Sequence, residues 1–252
     1  MCRAAIKVYN WGMKRRVLRV LVCGATGRMG GAVRAEIGNS AAFSFAGGVD
    51  SKTVVGVDSP AAFEILLASA DVVVDFSAPE ASCRYAAACA KARKPFVTGT
   101  TGFSARQSAA LKAAARKTPV FSSPNMSPAV NLTFALSALA ARRLTGFDIH
   151  ISEAHHAAKK DAPSGTALRY ADHIAAARGG ARPPVTSVRA GDIVGDHTVL
   201  YAGPHERVEI AHKAHSRAVF AAGALKAAAW LAGRRPGFYD YFDLLDLKDI
   251  AA

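Results

Sequence analysis

The stretch Val17-Leu18-Arg19-Val20-Leu21-Val22-Cys23 runs without a break into Gly24-Ala25-Thr26-Gly27-Arg28-Met29-Gly30, and a helical run to about Ile37 follows. A β-rich run, a glycine-rich turn and a helix start, in that order, confine what the chain can fold into. The glycines permit a tight turn and close helix–strand packing, and the helix start presents N–H groups to an anion. In this context the pattern is a dinucleotide fingerprint. Its spacing is GxxGxxG rather than the commoner GxGxxG, so the rest of the chain has to carry part of the argument. A second strand over Ser44–Val49 ends in Asp50, 20 residues beyond Gly30. An acid there accepts hydrogen bonds from the adenosine ribose hydroxyls and repels a 2′-phosphate. The competing reading is a turn aspartate, since Asp50-Ser51 is also turn-like.

Strand and helix signals then alternate. Ser59-Pro60 reads as the cap and first turn of a short helix ending near Ala68. Asp71–Phe76 has the continuous apolar centre that a parallel sheet buries on both faces. Pro79–Ala92 reads as a helix, Pro95–Thr98 as a strand, Ser104–Lys117 as a helix and Pro119–Ser122 as a strand. Gly99-Thr100-Thr101-Gly102 and Ser123-Pro124-Asn125-Met126 fall at the carboxyl ends of strands, where such sheets hold ligands. The pattern predicts an α/β protein with a doubly wound, Rossmann-like parallel sheet. It changes after a helix at Ala129–Leu144. Strands are expected at Phe147–Ser152, Val185–Arg189, Thr198–Ala202 and Arg207–His212, with a turn at Gly203-Pro204-His205. Antiparallel strands appended to a parallel sheet predict a second α+β domain for substrate binding and oligomerisation. A last helix, Ala218–Leu231, and the tail Gly237–Leu247 return to the first domain. The expected division is an extension at 1–16, a dinucleotide-binding domain at 17–126, the second domain at 127–216 and the return at 217–252.

The chemistry concentrates in Glu153-Ala154-His155-His156-Ala157-Ala158-Lys159-Lys160-Asp161-Ala162-Pro163-Ser164-Gly165-Thr166-Ala167. Two imidazoles, two ammonium groups and a helix start share fifteen residues. Asp161 or Ser164 is a candidate N-cap, and Pro163 suits a first helical turn. The N–H groups of Gly165 and Thr166 then face open space with the positive end of a helix behind them. Lys159 can add a full charge to the same anion. If the strand continues through His155 and His156, their side chains point to opposite sides, so one can donate a proton while the other binds. Two other readings compete: a half-exposed histidine pair beside an ordinary cap, and a metal site on Glu153, His155 and His156. The two lysines argue against a bound cation, and no metal is expected.

Composition narrows the field. The chain has 252 residues, 51% of them hydrophobic and 20% charged, which fits globular domains rather than a disordered chain. No apolar run approaches the roughly 20 residues of a membrane span. The net charge is +13, from 32 basic and 19 acidic residues. Six of those bases, and no acid, lie in the first twenty residues. The remaining basic side chains are scattered, with no nucleic-acid-reading motif, so anionic small molecules are the expected partners. Cys2, Cys23, Cys83 and Cys89 lack paired or ligand spacing and read as reduced thiols of a cytosolic protein. Met1–Arg16 lacks the apolar core and cleavage site of a signal peptide. It reads as a disordered extension or an upstream misread start, with Met13 just ahead of the first strand.

These residues resemble one family, the 4-hydroxy-tetrahydrodipicolinate reductases (dihydrodipicolinate reductases) of lysine and diaminopimelate synthesis. The likeness runs from Val17 to Leu247 and rests on the Glu153–Ala167 motif. It is supported by Gly24-x-x-Gly27-Arg28-Met29-Gly30, Asp75-Phe76-Ser77, Gly99-Thr100-Thr101-Gly102-Phe103, Arg189-Ala190-Gly191-Asp192-Ile193-Val194-Gly195 and Asp243-Leu244-Leu245-Asp246-Leu247. The resemblance implies hydride transfer from NADH or NADPH to C4 of a cyclic dicarboxylate, with loss of water, in a cytoplasmic homotetramer. It implies His155 as general acid, Lys159 as second catalytic group, and His156, Lys159, Gly165 and Thr166 as substrate contacts. Cofactor contacts carry over to Gly24, Ala25, Thr26, Gly27, Arg28, Met29, Asp50, Gly99, Thr100, Thr101, Ser123, Pro124, Asn125 and Met126. Three departures stand out. Ser51-Lys52 replaces an arginine that some members place after the second-strand acid, which favours NADH while Lys52 leaves some NADPH use. Pro128-Ala129 stands where a residue and glycine are common at an interdomain hinge, which implies stiffer closure. Ala157-Ala158 replaces bulkier polar residues and bears on substrate affinity. A different nicotinamide oxidoreductase on the same plan and a non-enzymatic nucleotide-binding regulator are the competing functions.

Overall fold

A computed structural model describes residues 16–50, 54–55 and 62–251. The elements begin with β1 (Leu18–Cys23), α1 (Arg28–Gly38), β2 (Phe43–Val49), β3 (Val54–Val55), α2 (Ala62–Ser69) and β4 (Val72–Asp75). Then come α3 (Pro79–Ala92), β5 (Phe96–Thr98), α4 (Ala105–Ala115), β6 (Pro119–Ser122), α5 (Pro128–Arg143), β7 (Asp148–His155) and α6 (Gly165–Arg178). The chain ends with β8 (Val185–Arg189), β9 (Asp196–Ala202), β10 (Arg207–Lys213), α7 (Ala218–Leu231), β11 (Gly237–Tyr239), α8 (Tyr241–Leu244) and α9 (Lys248–Ala251).

Seven strands form one sheet in the order β11-β6-β5-β4-β1-β2-β3, parallel except for β3, which runs antiparallel to β2. The apolar runs of β1 and β4 explain its centre, because successive side chains leave a strand on opposite faces. Val20, Val22, Val72 and Val74 pack with Val33 and Ile37 of α1 and with Leu225, Ala228 and Leu231 of α7. Leu21, Cys23 and Val73 pack on the other face with Leu66 of α2, Cys89 of α3 and Leu111 of α4. Both faces are therefore covered. Asp71 ties the amino-terminal end of β4 to β1, accepting from the Arg19 backbone N–H at 2.9 Å and from the Arg16 and Arg19 guanidinium groups.

The second sheet has the order β10-β9-β7-β8. Helices α5 and α6 cover one face, where Phe134, Tyr170 and Ile174 meet Ile149, Ile151, Val199 and Tyr201. On the opposite face Ser152 and Val188 are exposed, and His150 and Leu200 are half-buried. Among the described residues no helix is long and apolar enough to cross a membrane.

Several expectations need correction. The second sheet is mixed rather than antiparallel, because α6 crosses over and returns β8 parallel to β7. The strand expected to end at Ser152 continues to His155. Pro163 lies ahead of the helix rather than in its first turn. Ser164 is the cap, its hydroxyl accepting from the Ala167 N–H at 3.1 Å, so Asp161 does not serve. Gly237–Tyr239, expected only to pack on the first sheet, adds a parallel strand beside β6. The expected cap at Ser59-Pro60, the Ser51-Lys52 pair, Cys2 and residues 1–15 of the expected extension lie outside the described residues.

The Met126 carbonyl is where the first sheet's last loop meets the returning chain. It accepts from the Tyr241 hydroxyl at 2.8 Å, and a Cβ on Gly223 of α7 would lie 1.7 Å from it. Gly223→Ala must push backbone against backbone, which costs on the order of 1–3 kcal/mol or more. Urea unfolding of the purified variant should show that loss, and an unchanged midpoint would contradict the packing.

Candidate active site

The glycine turn after β1 is shaped by contacts that exclude side chains. Gly24 has φ +75°, and a Cβ there would lie 2.5 Å from the Phe76 carbonyl oxygen. A Cβ on Gly30 would lie 2.1 Å from the Gly24 oxygen, so α1 presses against the turn. Gly27 caps α1 without a side-chain acceptor, leaving the first helical N–H groups for a ligand. Asp50, at the end of β2, accepts from the Thr26 backbone N–H at 3.1 Å and from its hydroxyl at 2.5 Å.

Behind this turn lies Asp75, fully buried at the end of β4. It accepts from the hydroxyls of Ser77, Thr98 and Thr100 at 2.5, 2.8 and 2.9 Å. One carboxylate thus ties the loop after β4 to the loop after β5. A cleft of about 290 Å³ opens there, lined by Gly27, Arg28, Met29, Phe76, Ser77, Gly99, Thr100 and Thr101. A larger depression, about 730 Å³, lies along α1 and β2 and holds none of the expected site residues.

The second half of the site is built around Glu153, whose side chain is fully buried on β7. Residues two apart on a strand share a face, so His155 stands beside it, its Nδ1 bonded to Glu153 Oε2. Arg189, brought alongside by β8, donates to both carboxylate oxygens at 2.9 and 2.8 Å. The Ser164 backbone N–H donates to Glu153 Oε1 at 3.2 Å. Burial alone would raise the carboxyl's pKa. Hydrogen bonds from Arg189, Ser187, His155 and Ser164 outweigh that and bring it down to about 2. For His155 the balance reverses: burial, joined by the charges of Lys159 and Arg189, holds its pKa below the ordinary value despite Glu153. A Cβ on Gly195 would lie 3.0 Å from His155 Nε2, so a side chain there would press on the ring. His197 on β9 meets His155 edge to face at 5.2 Å and lies 3.2 Å from the Ser164 hydroxyl. Burial, then the neighbouring His155, pushes the His197 pKa down to about 3.

Lys159 lies in the loop between β7 and α6, and its ammonium donates to both Asp161 carboxylate oxygens at 2.7 and 2.8 Å. Arg189 also donates to the Asp161 carbonyl at 2.5 Å, so the same guanidinium fastens this loop. His156 lies half-buried, with Arg217 3.4 Å from its Nε2. Gly165 and Thr166 open α6, where helix geometry gives their N–H groups no acceptor within the helix. A Cβ on Gly165 would meet nothing within 4 Å, so that end of the helix is open. The two halves meet where the Asn125 side-chain amide donates to the Thr166 hydroxyl at 3.1 Å.

The match to known proteins covers most of the chain. Residues 18–126 match the family model described as dihydrodipicolinate reductase, N-terminus, and residues 129–245 match its C-terminus model. The chain belongs to the dihydrodipicolinate reductase family. It is 44% identical to the 4-hydroxy-tetrahydrodipicolinate reductase of Thiobacillus denitrificans over 92% of this chain and 99% of that protein. It is 45% identical to the enzyme of that name from Anaeromyxobacter dehalogenans, over 91% and 98% respectively. The fold is similar to dipicolinate-bound dihydrodipicolinate reductase from Paenisporosarcina, with a TM-score of 0.78 and 23% identity over 91% of this chain and 100% of that one.

Within this family fold the expected residues gather unevenly. His155, His156, Lys159, Gly165 and Thr166 surround the junction of β7 and α6. Gly24, Thr26, Gly27, Arg28, Met29, Asp50, Gly99, Thr100 and Thr101 surround the glycine turn. Ala25 and Met126 turn into the core, so only their backbone can face a ligand. Ser123 is buried, with its hydroxyl on the Asn125 carbonyl, while Pro124 is exposed. In the sequence Glu153 stands as a motif position and a competing metal ligand, Asp75 and Arg189 as motif positions without a site role, and His197 without any. The Glu153-x-His155 spacing was a legible signal; Arg189 and His197 reach the site only through sheet register, opposite His155 and Glu153. Among the described residues no cluster of three or more His, Cys, Asp or Glu side chains could hold a metal ion.

Burial of neutral His197 has a consequence for stability. Below its ordinary value of 6.5 the unfolded chain binds a proton that the folded chain refuses until about pH 3. Stability therefore falls with acidification from about pH 6.5 toward 3. Glu153 adds a further loss between its ordinary 4.5 and about 2. Calorimetry of His197→Gln should show a shallower decline of Tm below pH 6.5 than the parent, and an equal slope would count against a neutral buried imidazole.

Proposed function

We propose that the chain reduces 4-hydroxy-tetrahydrodipicolinate with a reduced nicotinamide dinucleotide, giving tetrahydrodipicolinate and water in lysine and diaminopimelate synthesis. The observation that carries this reading is the junction of β7 and α6. There an imidazole, an ammonium group and two unpaired helix N–H groups converge beside the loops that end the parallel sheet. Identity of 44–45% over 91–92% of the chain to reductases of that name supports the substrate.

The residues fit a dinucleotide. The side-chain-free turn at Gly24, the open start of α1 and the adjoining cleft leave backbone amides accessible to a pyrophosphate. Asp50 stands where ribose hydroxyls are recognised, and the loops of Gly99–Thr101 and Ser123–Asn125 border the same sheet edge. When bound, the nicotinamide supplies hydride. Asp50 followed by Ser51 favours NADH, and Lys52 leaves some use of NADPH.

The chain's own residues do the rest. The Gly165 and Thr166 amides, aided by Lys159 and His156, grip one carboxylate through charge-assisted hydrogen bonds. Lys159 exchanges Asp161 for that carboxylate as the substrate enters. The dianion adds negative charge near His155, which favours the protonated imidazole. His155 then quenches the electron density left on the ring, and Lys159 assists. The Asn125–Thr166 contact lies where the two sheets approach, and closure over substrate takes place about this segment. Pro128 fixes the first turn of α5 behind it, which stiffens the hinge. The division at residues 17–126, 127–216 and 217–252 follows from the same reading. The uncovered face of the second sheet is the proposed surface of a homotetramer, and the cytoplasm the proposed location.

Purified protein given the upstream synthase product should oxidise NADH in a substrate-dependent way. His155→Ala and Lys159→Ala should each lower kcat by ~10²–10⁴-fold, the usual contribution of general acid catalysis. Unchanged rates in both would refute the assigned roles. A kcat/KM for NADPH above that for NADH would overturn the cofactor preference.

A further inference from the structure

Glu153 touches the His155 ring, the α6-capping residue Ser164 and the Arg189 guanidinium. Its Oε2 holds the His155 ring, its Oε1 accepts from the Ser164 N–H one residue before the amide pair, and both oxygens engage Arg189. Arg189 in turn holds the Asp161 carbonyl, and Asp161 holds Lys159. Such a carboxylate–imidazole contact fixes which ring nitrogen carries the proton, as the second partner of a working histidine does elsewhere. Carboxylate oxygens only accept hydrogen bonds, so neutral His155 donates from Nδ1 and presents a bare Nε2.

We propose that Glu153, clamped by Arg189, is the positioning residue that sets which nitrogen of His155 carries its proton and how firmly a second proton is held. Glu153 touches neither substrate nor cofactor and acts through His155; the proposal rests on the reading of His155 as proton donor. Four groups surround the imidazole. Glu153 on its own strand favours the charged form, Arg189 on β8 and Lys159 in the following loop oppose it, and His197 on β9 meets it edge to face. The Arg189 clamp therefore tempers Glu153: without it the carboxylate would hold the imidazolium more tightly, and without the carboxylate the ring would charge less readily.

The two partners should consequently act in opposite directions, which loss of structure alone cannot produce. The full-length protein labelled with ¹³C and ¹⁵N histidine is titrated by NMR, with the His155 signal assigned by its disappearance in His155→Asn. Glu153→Gln, which keeps an acceptor for the Ser164 N–H, should lower the His155 midpoint by roughly one pH unit or more. Arg189→Met should raise it by a similar amount, and Arg189→Lys, which keeps the charge, should leave it near the parent value. The pH at which kcat/KM declines on the alkaline side should move in the same two directions. In Glu153→Gln, kcat should fall at least about tenfold while dipicolinate binding changes by less than about threefold. Midpoints that move together, or do not move, would overturn the proposal. If either variant fails to fold, the parent protein decides: ¹⁵N shifts must report neutral His155 protonated at Nδ1, and a proton on Nε2 overturns the proposal. A parent protein inactive on the lysine-pathway substrate would sink the functional reading and leave the titration result standing.

Discussion

A buried carboxylate is stable only when its charge is met by donors, and the second half of this protein is arranged to meet the charge of Glu153. Arg189 gives two hydrogen bonds, Ser164 a backbone N–H, and His155 a ring nitrogen. Removing any one leaves the remaining charge more costly to bury. That requirement holds β8 beside β7, fixes the start of α6 and orients the imidazole with a single group. The pair earns its place through specificity of arrangement more than through net stability, since a buried ion pair recovers little beyond its own desolvation.

The first half solves a parallel problem with Asp75. Three hydroxyls, from Ser77, Thr98 and Thr100, satisfy its oxygens at the end of β4. The loops after β4 and β5 are thereby tied together next to the glycine turn, where the parallel sheet opens toward a ligand. Each half of the molecule thus carries one buried acid at the carboxyl end of a strand. Both acids hold loops that border the proposed site.

The joint between the halves is made of scattered contacts, among them Phe242 stacked on His173 and the Ile250 carbonyl accepting from Arg142. Asn125 reaches Thr166 with one amide hydrogen bond, and the Met126 carbonyl receives the Tyr241 hydroxyl from the returning chain. A polar contact at the mouth and a packed joint behind it lie at residues 125–128, about which the proposed closure turns. Pro128, locked at the first turn of α5 with Ser127 as its cap, limits how far the backbone there can bend.

Much was legible in the sequence because its cause is local. Apolar runs at β1 and β4, the glycine turn, the alternation of helix and strand, and the helix limits Pro79–Ala92 and Ala218–Leu231 follow from hydrophobic period and turn chemistry, which neighbouring residues decide. The Glu153–Ala167 stretch suggested an acid and an anion site for the same reason: its residues are adjacent in the chain. The sequence could not give the parallel return of β8, the strand at Gly237–Tyr239, or the approach of Arg189 and His197 to Glu153. Those depend on sheet register between segments more than thirty residues apart, where pairing is set by how whole faces pack. Residue type therefore proposed the reacting groups, and tertiary structure alone decided what holds them, because a buried charge is answered by whichever donors the fold brings to it.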